Sequence, residues 1–234
     1  MLIWAILFLV VMGVSFVLAF RSMSDYREVP APSVPFSVFL VGNPQALTLG
    51  NLQKLGEAFI KGKFIFSFER LFKGPKRALV VFGPVDVLQP FSQSLVLTEI
   101  EDYSRTVTGK MRAWEVGKKS PNAPIGSIDI LSYIPSLQED EEFWWQVVLK
   151  PKANQQFTAI IRAVFRGSDE GRLVKLQEEL FDIGKPQDIS VLPQAYSSEQ
   201  IIKFYQDRSL PLGSLSHMGQ LTLSAEEVYS LLGI

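Results

Sequence analysis

The sequence predicts an α+β protein in which an N-terminal transmembrane helix precedes two lobes of mixed strands and helices. Three observations lead to this prediction. Residues 2–20 form an uncharged apolar run. Apolar side chains alternate with period two over residues 142–150 and 158–166, which is typical of strands. Leucine and phenylalanine recur at helical spacing over residues 49–59, which indicates an amphipathic helix.

The apolar run is long enough for a membrane anchor. As a helix, residues 2–20 would cover roughly 28 Å, close to the thickness of a bilayer's hydrocarbon core. We therefore predict a transmembrane helix over residues 1–21, in contact with the lipid bilayer through residues 2–20. A cleaved signal peptide is one alternative, but no basic residue precedes the run and the sequence around Ala19 is a poor cleavage site. A buried core helix is another, but the run is apolar on every face.

The charges beside the run predict its orientation. Arg21 and Arg27 follow it, and only the terminal amine precedes it. The positive-inside tendency therefore favours a single-pass protein of the cell membrane whose domain faces the cytoplasm. An extracytoplasmic binding domain held at the membrane is the alternative.

A proline-rich linker separates the run from the first lobe. Residues 22–35 contain Pro30, Pro32 and Pro35 and lack helical or strand periodicity. The first lobe, residues 36–117, begins with a strand over residues 37–41. A helix with Thr48 as its N-cap follows, and then come two further strands.

The second lobe, residues 118–234, begins with a loop and continues into the strand hairpin of residues 142–166. A helix opening at Ser168 and a short strand follow. Two capping boxes, Ser197 to Gln200 and Ser224 to Glu227, then predict two C-terminal helices. Because each lobe places a helix between strands, we predict two ferredoxin-like lobes.

Composition removes several classes of function. The 23 basic residues nearly balance the 24 acidic ones, so no global field favours nucleic acid and no direct nucleic-acid binding is predicted. The chain has no cysteine and one histidine, His217, and it lacks a phosphate-binding loop. We therefore predict no cofactor, no metal site and no enzymatic activity.

Trp144 lies on the polar-containing face of its predicted strand, and Arg162 and Arg166 of the neighbouring strand share that face. Tryptophan and arginine are enriched at the centres of protein interfaces. These three residues are thus a candidate partner interface. The alternative is that the helix over residues 168–183, or another helix, covers them.

A second candidate surface is the basic loop of Lys73, Lys76 and Arg77. Pro75 and the strand that follows the loop argue against a phosphate loop. The interpretations are a solvated turn between strands, or a contact with lipid headgroups or with an acidic partner surface.

Carboxylates offer a different class of function. Glu99, Glu101 and Asp102, or the acidic run at residues 139–142, would supply the pair of carboxylates that a hydrolase uses. A membrane-bound hydrolase is therefore an alternative to a binding protein. The serines beside His217 lack a nucleophile-elbow motif, so a surface loop is the favoured interpretation there.

Several segments resemble one bacterial family. Residues 124–126, the strand at residues 143–151 and the Leu-Ser-x-Glu-Glu segment within residues 221–228 are similar to the N-terminal, membrane-associated region of conjugative type IV secretion ATPases. The ATPase core of that family has no counterpart here, so no catalytic residue carries over. The resemblance implies a membrane-anchored, non-enzymatic scaffold or docking component of a secretion or conjugation machine, with a separate ATPase as its protein partner.

Overall fold

The computed structural model describes residues 2–24, 27–28, 34–106, 109–118, 125, 134, 136–183, 189–191, 196–211 and 220–233. The helices are α1 (Leu2–Ser24), α2 (Leu49–Gly62), α3 (Val85–Leu88), α4 (Ser92–Leu95), α5 (Glu170–Ile183), α6 (Ser198–Gln206) and α7 (Ala225–Leu232). The strands are β1 (Arg27–Glu28), β2 (Phe36–Val41), β3 (Phe66–Lys73), β4 (Lys76–Pro84), β5 (Leu97–Ile100), β6 (Lys110–Lys118), β7 (Glu142–Pro151), β8 (Gln156–Gly167), β9 (Ile189–Val191), β10 (Leu210–Pro211) and β11 (Leu221–Ser224).

One antiparallel sheet runs through the whole domain, in the order β5-β2-β4-β3-β7-β8-β6-β9. In each half, the four strands taken in chain order follow the spatial order 4-1-3-2 of the split βαβ arrangement. The second strands of the two halves, β3 and β7, pair with each other over residues 66–73 and 142–149. The two halves therefore share a single sheet.

The sheet has a face that we call the core face, which carries the main apolar core. Residues 143, 145, 147 and 149 of β7 lie on it, as their alternation predicts, together with residues 159, 161, 163 and 165 of β8. Helices α2, α5 and α7 cover this face. Their buried side chains include Leu52, Leu55, Phe59, Leu173, Leu176, Val228 and Leu231.

The opposite face is also covered. Ile201 and Tyr205 of α6 pack there on Ala113, Trp144 and Val164. Ser198 fixes the start of α6, since its hydroxyl accepts a hydrogen bond of 2.7 Å from the backbone N–H of Ala113 in β6. After α6 the chain reaches β10, which pairs with β1.

Local sequence signals position three of the helices. Thr48 accepts a hydrogen bond from the Asn51 N–H at the start of α2, as predicted. Both capping boxes, at Ser197 and Ser224, are confirmed. Helix α2 ends at Gly62, and the residue that caps it, Lys63, has a left-handed φ of 53°.

The prediction of a transmembrane helix is wrong. Helix α1 extends to Ser24, but within the part of the chain that the structure describes no helix is long and apolar enough to cross a membrane. The localisation at the cell membrane as a single-pass protein is corrected with it.

Other departures have local causes. The α+β class is observed, but the chain between β4 and β5 forms the short helices α3 and α4, which are too brief to show periodicity. Strand β11 was not anticipated. It pairs with β8 over residues 156–159, which are more than 60 positions earlier in the chain. Strand β6, placed in the first lobe by the domain prediction, lies between β8 and β9.

We expect Ser224→Ala to lower the free energy of unfolding by about 1 kcal/mol, because the Glu227 N–H at the start of α7 loses its acceptor. Urea denaturation followed by circular dichroism measures the change. Ser224→Asp is the matched control, since aspartate also caps helices. A loss equal to that of the alanine variant would contradict the capping role.

Candidate functional site

Four polar side chains lie side by side on the sheet face that α6 covers. The strand register places Glu69 beside Gln146, Gln146 beside Arg162, and Arg162 beside Glu115. All four residues are buried, and the first three are fully inaccessible to solvent. We call this row the polar ladder. Since it crosses the β3–β7 pair, it joins the two halves of the sheet.

Gln146 links the opposite charges of the ladder. Its amide nitrogen donates hydrogen bonds of 2.9 Å to Glu69 Oε1 and to the carbonyl of Tyr205. Its amide oxygen accepts a bond of 3.1 Å from Arg162. The dipole of the amide thus matches the carboxylate on one side and the guanidinium on the other. A hydrogen-bonded and paired arrangement of this kind is what buried polar groups require.

Arg208 attaches the segment after α6 to the ladder. Its Nε lies 3.1 Å from Glu69 Oε1, and its NH2 lies 3.0 Å from Asp102 Oδ1. Its Cζ lies 4.6 Å from the centre of the Phe82 ring. The Arg208 backbone has a φ of 47°, a left-handed conformation that costs a non-glycine residue about 1 kcal/mol or more. The buried ion pairs compensate for this cost.

Arg162 holds the same segment from the other side. Its guanidinium donates to the carbonyls of Phe204 and Ser209, at 3.1 and 2.6 Å, and its Nε lies 3.5 Å from Glu115. Two buried arginines therefore bracket the end of α6. Charges alternate in sign from Asp102 through Arg208, Glu69 and Arg162 to Glu115.

Two tyrosines complete the network. The Tyr103 hydroxyl donates to Glu69 Oε2 and lies 2.6 Å from the Tyr205 hydroxyl. Burial, and secondly the negative charge of Glu69, raise the pKa of both phenols well above the ordinary value of 10.0. Both tyrosines thus stay protonated and remain hydrogen-bond donors at neutral pH.

The ionised groups of the network stabilise one another. Burial opposes the charge of Arg208, but Glu69 and Asp102 outweigh it and raise the Arg208 pKa. Burial likewise acts to raise the pKa of Asp102, yet the bond and charge of Arg208 leave that pKa lowered. The charged groups of the network thus form ion pairs with other side chains of the same domain.

The candidate interface residues lie within or beside this network. Trp144 is 3% exposed, packs against Tyr103 and Tyr205 at centroid distances of 5.2 and 5.7 Å, and donates to Glu142. Arg162 is fully buried in the ladder. Arg166 keeps part of its side chain exposed and forms an ion pair of 2.9 Å with Glu142. The helix that covers this face is α6, rather than the helix over residues 168–183.

The basic loop lies at the hairpin between β3 and β4. Lys73 forms an ion pair of 3.0 Å with Glu142. Lys76 is exposed, whereas the Arg77 guanidinium lies 5.7 Å from the centre of the Phe72 ring. The three cations thus have different surroundings.

Several candidate carboxylates are engaged by other groups. Glu99 accepts a hydrogen bond from Ser37, and Asp102 pairs with Arg208. In the acidic run, Asp140 accepts from Ser168 and Glu141 pairs with Arg172. No group of three or more histidine, aspartate or glutamate residues placed to hold a metal occurs within the described ranges. His217 lies outside the described residues.

Helix α1 presents a different kind of feature. Its described large apolar side chains are between 52% and 74% exposed, at positions on every side of the helix. The highest values belong to Trp4 and Phe16. Elsewhere in the described chain, the exposed large apolar residues are Ile60, at 39%, and Val96, at 52%.

The sequence places Trp144 and Arg162 on one face of two neighbouring strands, but it does not identify the network. Glu69, Asp102 and Arg208 are far apart in the chain, and nothing local connects them. The signal that was present is the occurrence of charged residues inside two largely apolar strands, Glu69 and Arg70 in FSFERLF and Arg162 in TAIIRAVF. Such interruptions mark buried polar partners.

Comparison of the sequence with models of known protein families gives no match. Comparison with curated proteins also gives no significant match. Function must therefore be inferred from the geometry of the chain itself.

We expect Arg208→Met to lower the free energy of unfolding by about 3–5 kcal/mol, because Glu69 keeps a buried charge without its arginine. The double variant Glu69→Met/Arg208→Met should cost less than the sum of the two single variants, by about 1–3 kcal/mol. Urea denaturation measures all four proteins. Arg105→Met is the control, since this exposed arginine also pairs with Asp102. A cost above about 1 kcal/mol in Arg105→Met would contradict the role of the network. So would a double variant whose cost equals the sum of the costs of Glu69→Met and Arg208→Met.

Acid should weaken the network through Asp102. Because folding lowers its pKa below the ordinary value of 3.8, its stabilisation is complete above that value and is lost as pH falls through the folded pKa. Asp102→Asn should therefore flatten the fall in unfolding free energy below about pH 4. Glu101→Gln, which changes an exposed neighbour, should follow the unmodified protein. Identical acid profiles for all three proteins would refute this assignment.

Proposed function

We propose that the chain is a non-enzymatic docking component of a larger protein assembly, with α1 as the segment that a partner protein encloses. The observation that carries the proposal is the exposure of apolar side chains around the whole of α1. Exposed apolar surface of this extent is characteristic of interaction sites.

The distribution of exposure favours a particular kind of partner. The consecutive residues Ile6, Leu7, Phe8 and Leu9 point in four different directions around a helix with 3.6 residues per turn, and all are more than half exposed. A helix docked in a shallow groove would need only one apolar stripe. A partner that surrounds α1 with several helices buries every face of it.

The domain behind α1 supports a docking role. Its two halves share one sheet, and the polar ladder fixes their register. The carboxylates that a hydrolase would use, such as Asp102 and Glu142, are engaged in ion pairs. A rigid domain of this kind is suited to holding a partner in a fixed position rather than to catalysing a reaction.

The resemblance of residues 143–151 and 221–228 to secretion-ATPase regions supports a narrower form of the proposal. In that form the partner is a separate ATPase, and the chain positions it within an assembly. The docking role does not depend on this narrower form.

We expect deletion of residues 1–24 to leave a folded domain that no longer joins its assembly. The deletion keeps β1, which pairs with β10. Circular dichroism and thermal melting test folding, and tagged full-length and truncated chains purified from the native cell test assembly. Retention of a stoichiometric partner by the truncated chain would overturn the role of α1.

Because the chain has no cysteine, single-cysteine variants can locate the contact. Leu9→Cys on α1 should cross-link to a defined protein, whereas Ile60→Cys, an exposed apolar control on α2, should not. If Leu9→Cys cross-links to no protein and is shielded from alkylation by protein-free phospholipid vesicles, the proposal of a protein partner fails.

A further inference from the structure

A cleft of about 770 Å³ opens where β2 separates from β4. The pairing of β2 with β4 reaches only Leu40 and Val80, while β4 continues beside β3 as far as Lys76. The turn after β2, residues 42–45, forms one wall of the cleft, and the start of β4 forms another. The end of α7 contributes Gly233.

Two guanidinium groups share this cleft. Arg70 and Arg77 come from adjacent antiparallel strands and flank Phe72, with Cζ atoms 6.0 and 5.7 Å from the centre of its ring. Phe72 is 3% exposed, so it forms a fixed platform beneath both side chains. Contact with an aromatic face limits the conformational freedom of an arginine side chain.

The other residues that line the cleft are polar amides and apolar side chains. Asn43 and Gln45 contribute carboxamides, and Leu40, Val41, Pro44 and Leu79 contribute apolar surface. No acidic residue occurs among the described residues that line the cleft. Guanidinium groups match the geometry of carboxylate and phosphate oxygens, with two parallel N–H groups each.

We propose that this cleft binds a small ligand in which a carboxylate or phosphate group adjoins an apolar group. Arg70 and Arg77 hold the oxyanion, and the carboxamide of Asn43 contributes a further donor. The apolar part of the ligand rests on Leu40 and Pro44, which are both partly exposed. The site is separate from α1 and from the polar ladder, so it stands independently of the docking role.

Lys76 provides a matched control for this site. It belongs to the same hairpin as Arg77 and carries the same charge, but it does not line the cleft. A general attraction of anions to the basic hairpin would therefore weaken equally in Lys76→Gln and Arg77→Gln. Binding in the cleft would weaken only in Arg77→Gln.

Isothermal titration calorimetry on the full chain tests the proposal, with inorganic phosphate and benzoate as separate probes and chloride as the ionic-strength control. We expect saturable binding of at least one probe, weakened about tenfold or more in Arg77→Gln and less than about twofold in Lys76→Gln. The probe that binds more tightly distinguishes a phosphate ligand from a carboxylate ligand.

Asn43→Ala offers a second variant should Arg77→Gln fail to fold, as judged by circular dichroism, and it should also weaken binding. Absence of saturable binding of both probes would overturn the proposal. Equal weakening by the two hairpin variants would overturn it as well, as would unchanged binding in both lining variants.

Discussion

The hydrogen bonds of Gln146 to Glu69 and Arg162 are the interaction on which the rest of the structure depends. They lie at the β3–β7 pair, where two similar four-stranded halves become one sheet. An apolar row at this position would tolerate sliding of one half against the other by two residues, since apolar contacts are not directional. Four matched polar groups allow one register, because any slip would leave buried charges unpaired.

The same network explains why both faces of the sheet are covered. The core face is packed by apolar side chains of α2, α5 and α7. The ladder face needs a cover that supplies hydrogen-bond partners as well as apolar contact. The end of α6 supplies both, through the ring of Tyr205, the carbonyls of Phe204 and Ser209, and the guanidinium of Arg208. Trp144 is consequently an interior residue, although its strand face contains polar groups.

The domain and α1 differ in how far their apolar side chains are exposed to solvent. Within the domain, the buried charges of the network form ion pairs with one another and large apolar side chains are mostly buried. In α1 the described apolar side chains are exposed on every side, and this is the surface that we propose a partner protein encloses. The cleft between β2 and β4 is a third environment, where two arginines share one wall and no described acidic residue lines it. The proposed docking segment and the proposed ligand cleft therefore lie in separate parts of the chain.

The sequence by itself determined the α+β class, the two-residue alternation of β7 and β8, and the starts of α2, α6 and α7. These features depend on neighbours within a few residues, such as Ser224 and Glu227. Tertiary structure alone decided the strand order, the ladder and the cleft, since each joins residues far apart in the chain. Glu69 and Arg208 are separated by 139 positions, and their pairing follows from the fold rather than from any local pattern. The apolar run at residues 2–20 predicted a helix correctly but its environment wrongly. Hydropathy measures only how unfavourable contact with water is for a segment, and it does not distinguish lipid from protein as the surrounding medium.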